Sequence, residues 1–120
     1  MPKRVMIVDD ALFMRSIIRG TLTGRGYEVV AEAASGIEAM KYLLDRKPEI
    51  VVLDIVLPDA NGLELLDEIL AARPGTNVVI CSSLGQEQIV RKAMEHGARA
   101  FLQKPFTPDK VIETLQSLGD

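Results

Sequence analysis

The chain has 120 residues, 48% of them hydrophobic, with 14 basic and 17 acidic side chains and a net charge of −3. That length fits one domain, expected over residues 1–120, that buries its own core, and the charge balance lacks the basic footprint of a nucleic-acid binder. A lone cysteine, Cys81, excludes an internal disulfide and, with a single histidine, a Cys/His zinc site.

The first apolar run, Val5-Met6-Ile7-Val8, follows a basic Met1-Pro2-Lys3-Arg4 and is cut off by Asp9-Asp10. It is too short for the h-region of a signal peptide, about 7–15 residues. No later run approaches the roughly 20 residues of a membrane span, so a cytoplasmic protein with no membrane partner is expected. A helical pattern comes next, with Phe13, Ile17, Ile18 and Leu22 on one face and Gly24 as its stop. Tyr27-Glu28-Val29-Val30-Ala31 is a weaker, more polar strand candidate, suited to a sheet edge. Ser35 and Glu38 have capping-box spacing ahead of a helix carrying Ile37, Met40, Leu43 and Leu44, which Pro48 ends.

Ile50-Val51-Val52-Leu53 is a second continuous apolar run, closed by Asp54. Asn61 and Glu64 then open a helix with Leu63, Leu66, Ile69 and Leu70, stopped at Pro74. Val78-Val79-Ile80-Cys81 follows, ending at Ser82-Ser83, with Cys81 expected in the core as a small hydrophobe. A fourth helix places Ile89, Val90, Ala93 and Met94 together and stops at Gly97. Ala100-Phe101-Leu102 leads into Gln103-Lys104-Pro105, and Thr107 before Pro108 starts a last helix bearing Val111, Ile112, Leu115 and Leu118.

The four strong strand candidates lack period-2 alternation, the pattern of strands covered on both faces. Five strands alternating with five helices predict an α/β, flavodoxin-like doubly wound (βα)5 fold. Its five-stranded parallel sheet has order 2-1-3-4-5 with helices on both faces. Ligands of such folds bind at the carboxyl ends of the strands, near the point where strand order reverses. There the sequence places Asp9, Asp10, Asp54, Ser82 and Lys104. Carboxylates about 5 Å apart repel by roughly 3 kcal/mol per pair at an effective dielectric near 20. One lysine does not balance three acids, and a hard divalent cation does. Mg²⁺, with Mn²⁺ as a substitute, is the expected occupant. Asp10, Asp54 and the backbone carbonyl of Val56 are the expected direct ligands, with Asp9 acting through a bound water. A simpler role remains open for Asp9 or Asp10, as N-cap of the helix that begins near Leu12.

Over its full length the sequence resembles the receiver domains of two-component response regulators. The resemblance rests on the joint spacing of Asp9-Asp10, Asp54 within Val-Val-Leu-Asp-Ile-Val-Leu-Pro-Asp-Ala-Asn-Gly, Ser82 and Lys104-Pro105-Phe106. It implies that Asp54 accepts a phosphoryl group from a sensor histidine kinase, and that Asp9 and Asp10 hold Mg²⁺. It implies further that Lys104 neutralises the acyl phosphate, that Ser82 donates to it, that Phe101 is the aromatic switch and that Lys104-Pro105 is a cis peptide. The segments Asp10-Ala11-Leu12-Phe13-Met14-Arg15 and Cys81-Ser82-Ser83-Leu84-Gly85 are similar to stand-alone chemotaxis regulators (CheY-like). By that resemblance the target is the flagellar motor switch, reached through the face of helix 4, strand 5 and helix 5. Gln86, Gln88, Arg91, Glu95, Arg99 and Gln103 are its candidate contact positions. With no output domain attached, signalling by protein contact is expected from a monomer, with dimerisation on phosphorylation as a variant and a phosphatase as a further partner. Val56 and Leu84 are apolar and position no water, which implies slow self-dephosphorylation.

Other classes fit less well. A single-domain phosphorelay intermediate shares every residue above. A Mg²⁺-dependent phosphatase of the haloacid-dehalogenase type needs an acid two residues beyond its nucleophile, where Val56 stands. A flavin carrier needs a phosphate loop after strand 1, which Asp9-Asp10 would repel. Gly24-Arg25-Gly26 follows a helix and lacks a third glycine, Val29 standing there, so it is a turn. His96 beside Gly97 is expected as a helix-end residue favoured by the dipole rather than a phosphohistidine.

Overall fold

The computed structural model describes residues 2–119; Met1, part of the basic N-terminal stretch noted above, and Asp120 lie outside the described residues. Ten elements alternate as β1 (Lys3–Val8), α1 (Leu12–Leu22), β2 (Tyr27–Ala33), α2 (Gly36–Arg46), β3 (Ile50–Asp54), α3 (Gly62–Ala72), β4 (Asn77–Ser82), α4 (Glu87–His96), β5 (Ala100–Gln103) and α5 (Pro108–Gln116). All strand pairs are parallel and the sheet order is β2-β1-β3-β4-β5.

The sheet separates two apolar clusters, and alternation along each strand decides which one a residue joins. Met6, Val8, Val51, Leu53, Val78 and Ile80 pack under α2, α3 and α4, together with Leu43, Leu66 and Ile69. Val5, Ile7, Val52, Val79 and Cys81 pack on the other side with Ile18 and Leu22 of α1 and Val111, Ile112 and Leu115 of α5. β3 is buried along its whole length, as its uninterrupted apolar run requires. β2 forms an edge and is only partly buried, and its register against β1 shifts between Val5 and Met6.

The helix starts are fastened by their own side chains. Ser35 Oγ accepts the Glu38 N–H at 3.1 Å, while Glu38 Oε1 reaches back to the Ala34 N–H at 2.8 Å. Asn61 Oδ1 accepts from Leu63 and Glu64, and Thr107 Oγ1 accepts from Lys110. α1 is the exception. Its N-cap is Ala11 and carries no side-chain cap bond. Asp9 instead closes a turn by accepting the Ala11 N–H at 2.9 Å. The capping role left open for Asp9 or Asp10 is therefore not the one the fold uses.

The apolar stripes hold for the centres of the helices but not for their margins. Phe13, Ile37 and Leu44 were grouped with buried neighbours, yet they are 75%, 78% and 60% exposed. A period of 3.6 defines a direction, and residues at the edges of a broad stripe fall outside the contact with the sheet. Gly97 ends α4 with φ of 118°, a left-handed conformation that suits glycine.

Candidate functional site

Three loops at the carboxyl edge of the sheet build one acidic pocket. β1 delivers Asp9 and Asp10, β3 ends on Asp54, and β5 leads into Lys104. Carboxylate oxygens of Asp9, Asp10 and Asp54 all lie within 4.8 Å of one another. Asp9 is buried and Asp54 nearly so, at 2% and 9% exposure, while Asp10 is open to solvent. The Lys104 ammonium spans the two buried acids, with Nζ 3.1 Å from Asp9 Oδ2 and 3.1 Å from Asp54 Oδ2. The Lys104 N–H donates to the Ser82 carbonyl at 2.7 Å, and the Lys104–Pro105 peptide is cis.

The second oxygen of Asp54, Oδ1, accepts the Val56 N–H at 3.0 Å. Asp9 is held by the Ala11 N–H and by Arg15, whose guanidinium bonds the Asp9 carbonyl. Arg15 is itself paired with Glu32 of β2 at 3.3 Å. The loop beneath Asp54 is fixed by Gly62, because a Cβ there would lie 2.1 Å from the Ile55 carbonyl oxygen. Burial pushes the Asp54 carboxyl above the ordinary aspartate value, against the opposing pull of the Val56 N–H and the Lys104 ammonium. Burial also works against the charge of Lys104, but Asp54 and then Asp9 outweigh it and hold the amine above the ordinary lysine value.

Among the described residues this is the one grouping of three acids close enough to hold a metal ion. The donor set fits a hard divalent cation. It is all oxygen and carries three negative charges against one lysine, and Asp10 leaves it open on the solvent side. Val56, expected to lend its carbonyl, is half exposed at the pocket mouth and bridges to Asn61. Ser82 is buried at the end of β4, and Phe101 is 49% exposed. Between them, against α4, lies a cavity of about 270 Å³ lined by Ser82, Val90, Met94 and Phe101.

The expected partner positions divide into two groups. Gln88, Arg91, Glu95 and Gln103 project to solvent. Gln86 is engaged instead, its side-chain carbonyl accepting the Ser83 N–H at 2.6 Å. Arg99 donates to Asn77 at 3.1 Å, at the opposite end of the sheet from Gln103. His96 is the last residue of α4, with Nδ1 3.0 Å from Asp67 Oδ1 of α3.

One residue of structural weight stood unremarked in the sequence. Asp59, in the loop after β3, accepts the Gly36 N–H at 2.8 Å and the Ile37 N–H at 3.3 Å, and so caps α2 from a distance. Its only local signal is its place in a Pro-Asp-Ala-Asn-Gly turn, and the two amides it caps lie 23 and 22 residues away in sequence.

The model of the response regulator receiver domain matches residues 5–116. The chain belongs to that family. It is 42% identical over 119 residues to a chemotaxis protein CheY of Thermotoga maritima, covering 99% of both chains. It is 45% identical over 113 residues to the protein of that name from Listeria monocytogenes, covering 94% of this chain and 95% of the relative. Regulators outside chemotaxis share the fold as well. The receiver domain of NtrX from Brucella abortus superposes with a TM-score of 0.89 at 34% identity, covering 94% of this chain and 95% of that one.

Proposed function

We propose that the chain is a single receiver domain that works in the cytoplasm as a phosphorylation switch, accepting a phosphoryl group on Asp54 from the phosphohistidine of a sensor kinase. The observation that carries this is Lys104 bridging Asp9 and Asp54 within an acidic cluster that also contains Asp10. In the transfer, a carboxylate oxygen of Asp54 forms the new P–O bond as the P–N bond to the donor imidazole breaks, and the electron pair of that bond stays with the imidazole. Such a reaction is governed mainly by positioning and charge neutralisation. Asp10, Asp54 and the Val56 carbonyl would hold Mg²⁺ or Mn²⁺, with Asp9 reaching it through water. The bound ion would supply neutralisation of the phosphoryl oxygens. Lys104 already stands beside the oxygen of Asp54 that its bonds define, and the Val56 N–H orients the other.

The phosphorylated aspartate gains strong acceptors and about one extra unit of negative charge. Ser82, at the end of the neighbouring strand, is the hydroxyl placed to donate to it. Movement of Ser82 would let Phe101 turn into the cavity between β5 and α4 and so alter the α4-β5-α5 face. The similarity to chemotaxis proteins favours a flagellar motor switch as the downstream partner and a phosphatase as the resetting one. A phosphorelay role is the second reading, favoured by the structural likeness to a receiver outside chemotaxis.

Intact-mass analysis after incubation with a small phosphodonor, with and without Mg²⁺, tests the central claim. A single Mg²⁺-dependent adduct is expected on the native chain and none on Asp54→Asn. An adduct of equal yield on the variant removes Asp54 from its assigned role. The same assay follows decay. Val56 is 54% and Leu84 79% exposed, and neither holds a water for attack on phosphorus. Val56→Asn and Leu84→Lys are expected to shorten the phosphoryl lifetime; a native lifetime shorter than theirs contradicts this account.

A further inference from the structure

A groove of about 470 Å³ runs between α2 and α3, off the α4-β5-α5 face, and reaches the loop after β3 through Asp59, Ala60 and Asn61. Its apolar lining comes from Ile37 and Met40 on α2 and Leu65 on α3, and Ile37 is 78% exposed. Leu44, 60% exposed and two turns after Ile37 on nearly the same face of α2, continues the stripe. The charged residues of its lining, Asp59, Glu64 and Glu68, are all acidic, with Asn61 beside them. Lys41, the nearest cation on α2, lies on the far side of Ile37 from Met40 and stands 6.0 Å from the Tyr42 ring.

Two features of this groove are unfavourable for the isolated molecule. Glu64 and Glu68 stand four residues apart on one face of α3, a spacing at which like charges disfavour a helix. Among the described residues no cation lies within ion-pairing distance of either. Large side chains such as Ile37 and Leu44 meanwhile stay in water beside them. An incoming surface with apolar anchors flanked by cations would relieve both features together. α2 is 11 residues long, about 16 Å, which matches roughly three turns of a helix laid along the groove.

We propose that the α2–α3 groove is a docking site for a basic amphipathic helix of a partner protein, with apolar side chains seated over Ile37, Met40 and Leu65 and Lys or Arg facing Glu64 and Glu68. The site uses none of the side chains assigned to phosphoryl transfer, and the docking proposed does not require phosphorylation of Asp54.

The test is a titration of the isotope-labelled full chain with a synthetic helix of three to five turns, built from Leu and Lys at amphipathic spacing, followed by amide shifts. Saturable changes centred on Ile37, Met40 and Leu65 are expected. The paired variant Glu64→Lys, Glu68→Lys should bind about tenfold more weakly or worse, while accepting the phosphoryl group at Asp54 as the native chain does. A control with the same change in net charge elsewhere, Glu28→Lys with Asp109→Lys on exposed positions, should keep its affinity. Equal loss in the control would show attraction by net charge alone and overturn the proposal. So would equal binding of a Leu/Glu helix, or shifts centred on α4, β5 and α5. Concentration-dependent shifts at Ile37 without peptide would make a second copy of the chain the occupant and overturn it as well.

Discussion

Cys81 stands opposite Asp54 in the β3–β4 register, one strand away from the site, yet its side chain belongs to the core beneath α1 and α5. Burial pushes its thiol up to about 12, with Asp54 and Asp9 adding to the rise and Lys104 opposing it. Since the thiolate is the nucleophile, roughly one molecule in ten thousand is reactive at pH 8 even before access is considered. Iodoacetamide is expected to leave the native chain unmodified and to alkylate it fully once urea unfolds it; comparable rates in both states would show the thiol to be accessible. Residues of this kind were legible early, because a cysteine inside an apolar run has few other places to go. The difference in burial between Asp9 and Asp10 was not. Adjacent acids look alike in sequence, and only the turn closed on Ala11 makes one buried and the other exposed.

At the scale of elements, α2 depends on a carboxylate it does not contain. The Gly36 N–H holds the Asp59 carboxyl below the ordinary value of 3.8 despite a burial effect in the other direction, and the Ile37 N–H helps. A depressed folded-state pKa means that the contribution is complete above the unfolded-state value and fades as pH falls through the lower, folded value. On acidification the Gly36 and Ile37 amide shifts should therefore step with a midpoint below 3.8, and Asp59→Asn should abolish the step. A midpoint at or above 3.8 would mean the cap is not made in solution. A cap reaching across from another loop leaves no periodicity to find. The strands were legible because β1, β3 and β4 are covered on both faces and so read as unbroken apolar runs. The helical stripes were read too wide, since the pattern at Ile37 and Leu44 gives the direction of the core but not the distance at which the sheet ends.

For the whole molecule, the sheet order and the placement of Asp9, Asp10, Asp54 and Lys104 on one rim followed from alternation and crossover handedness alone. What alternation could not supply is the orientation of Phe101, which is outward, beside the cavity at Ser82. The chain has three phenylalanines, so fluorine-labelled Phe gives three signals, and Phe101→Leu identifies one. Phosphorylation is expected to shift that signal and shield it from solvent; an unmoved signal in fully phosphorylated protein would disconnect Phe101 from the switch.

The packing of α4 sets how much force such a switch needs. This helix buries only Val90 and Ala93, and Gln86 at its start provides no side-chain cap. Its far end makes the His96–Asp67 contact and closes on Gly97, where a Cβ would lie 2.9 Å from Leu70. Its attachments are thus fewer at the end near Ser82 than at the His96 end. Burying a valine side chain is worth about 1.5–3 kcal/mol, and a hydrogen bond to a charged group contributes about the same. Under the phosphorylation proposed for Asp54, an attachment of this strength would be matched by one phosphoryl contact. α4 would then give way when the contact forms and return when it is lost, with no surplus to trap it in either position.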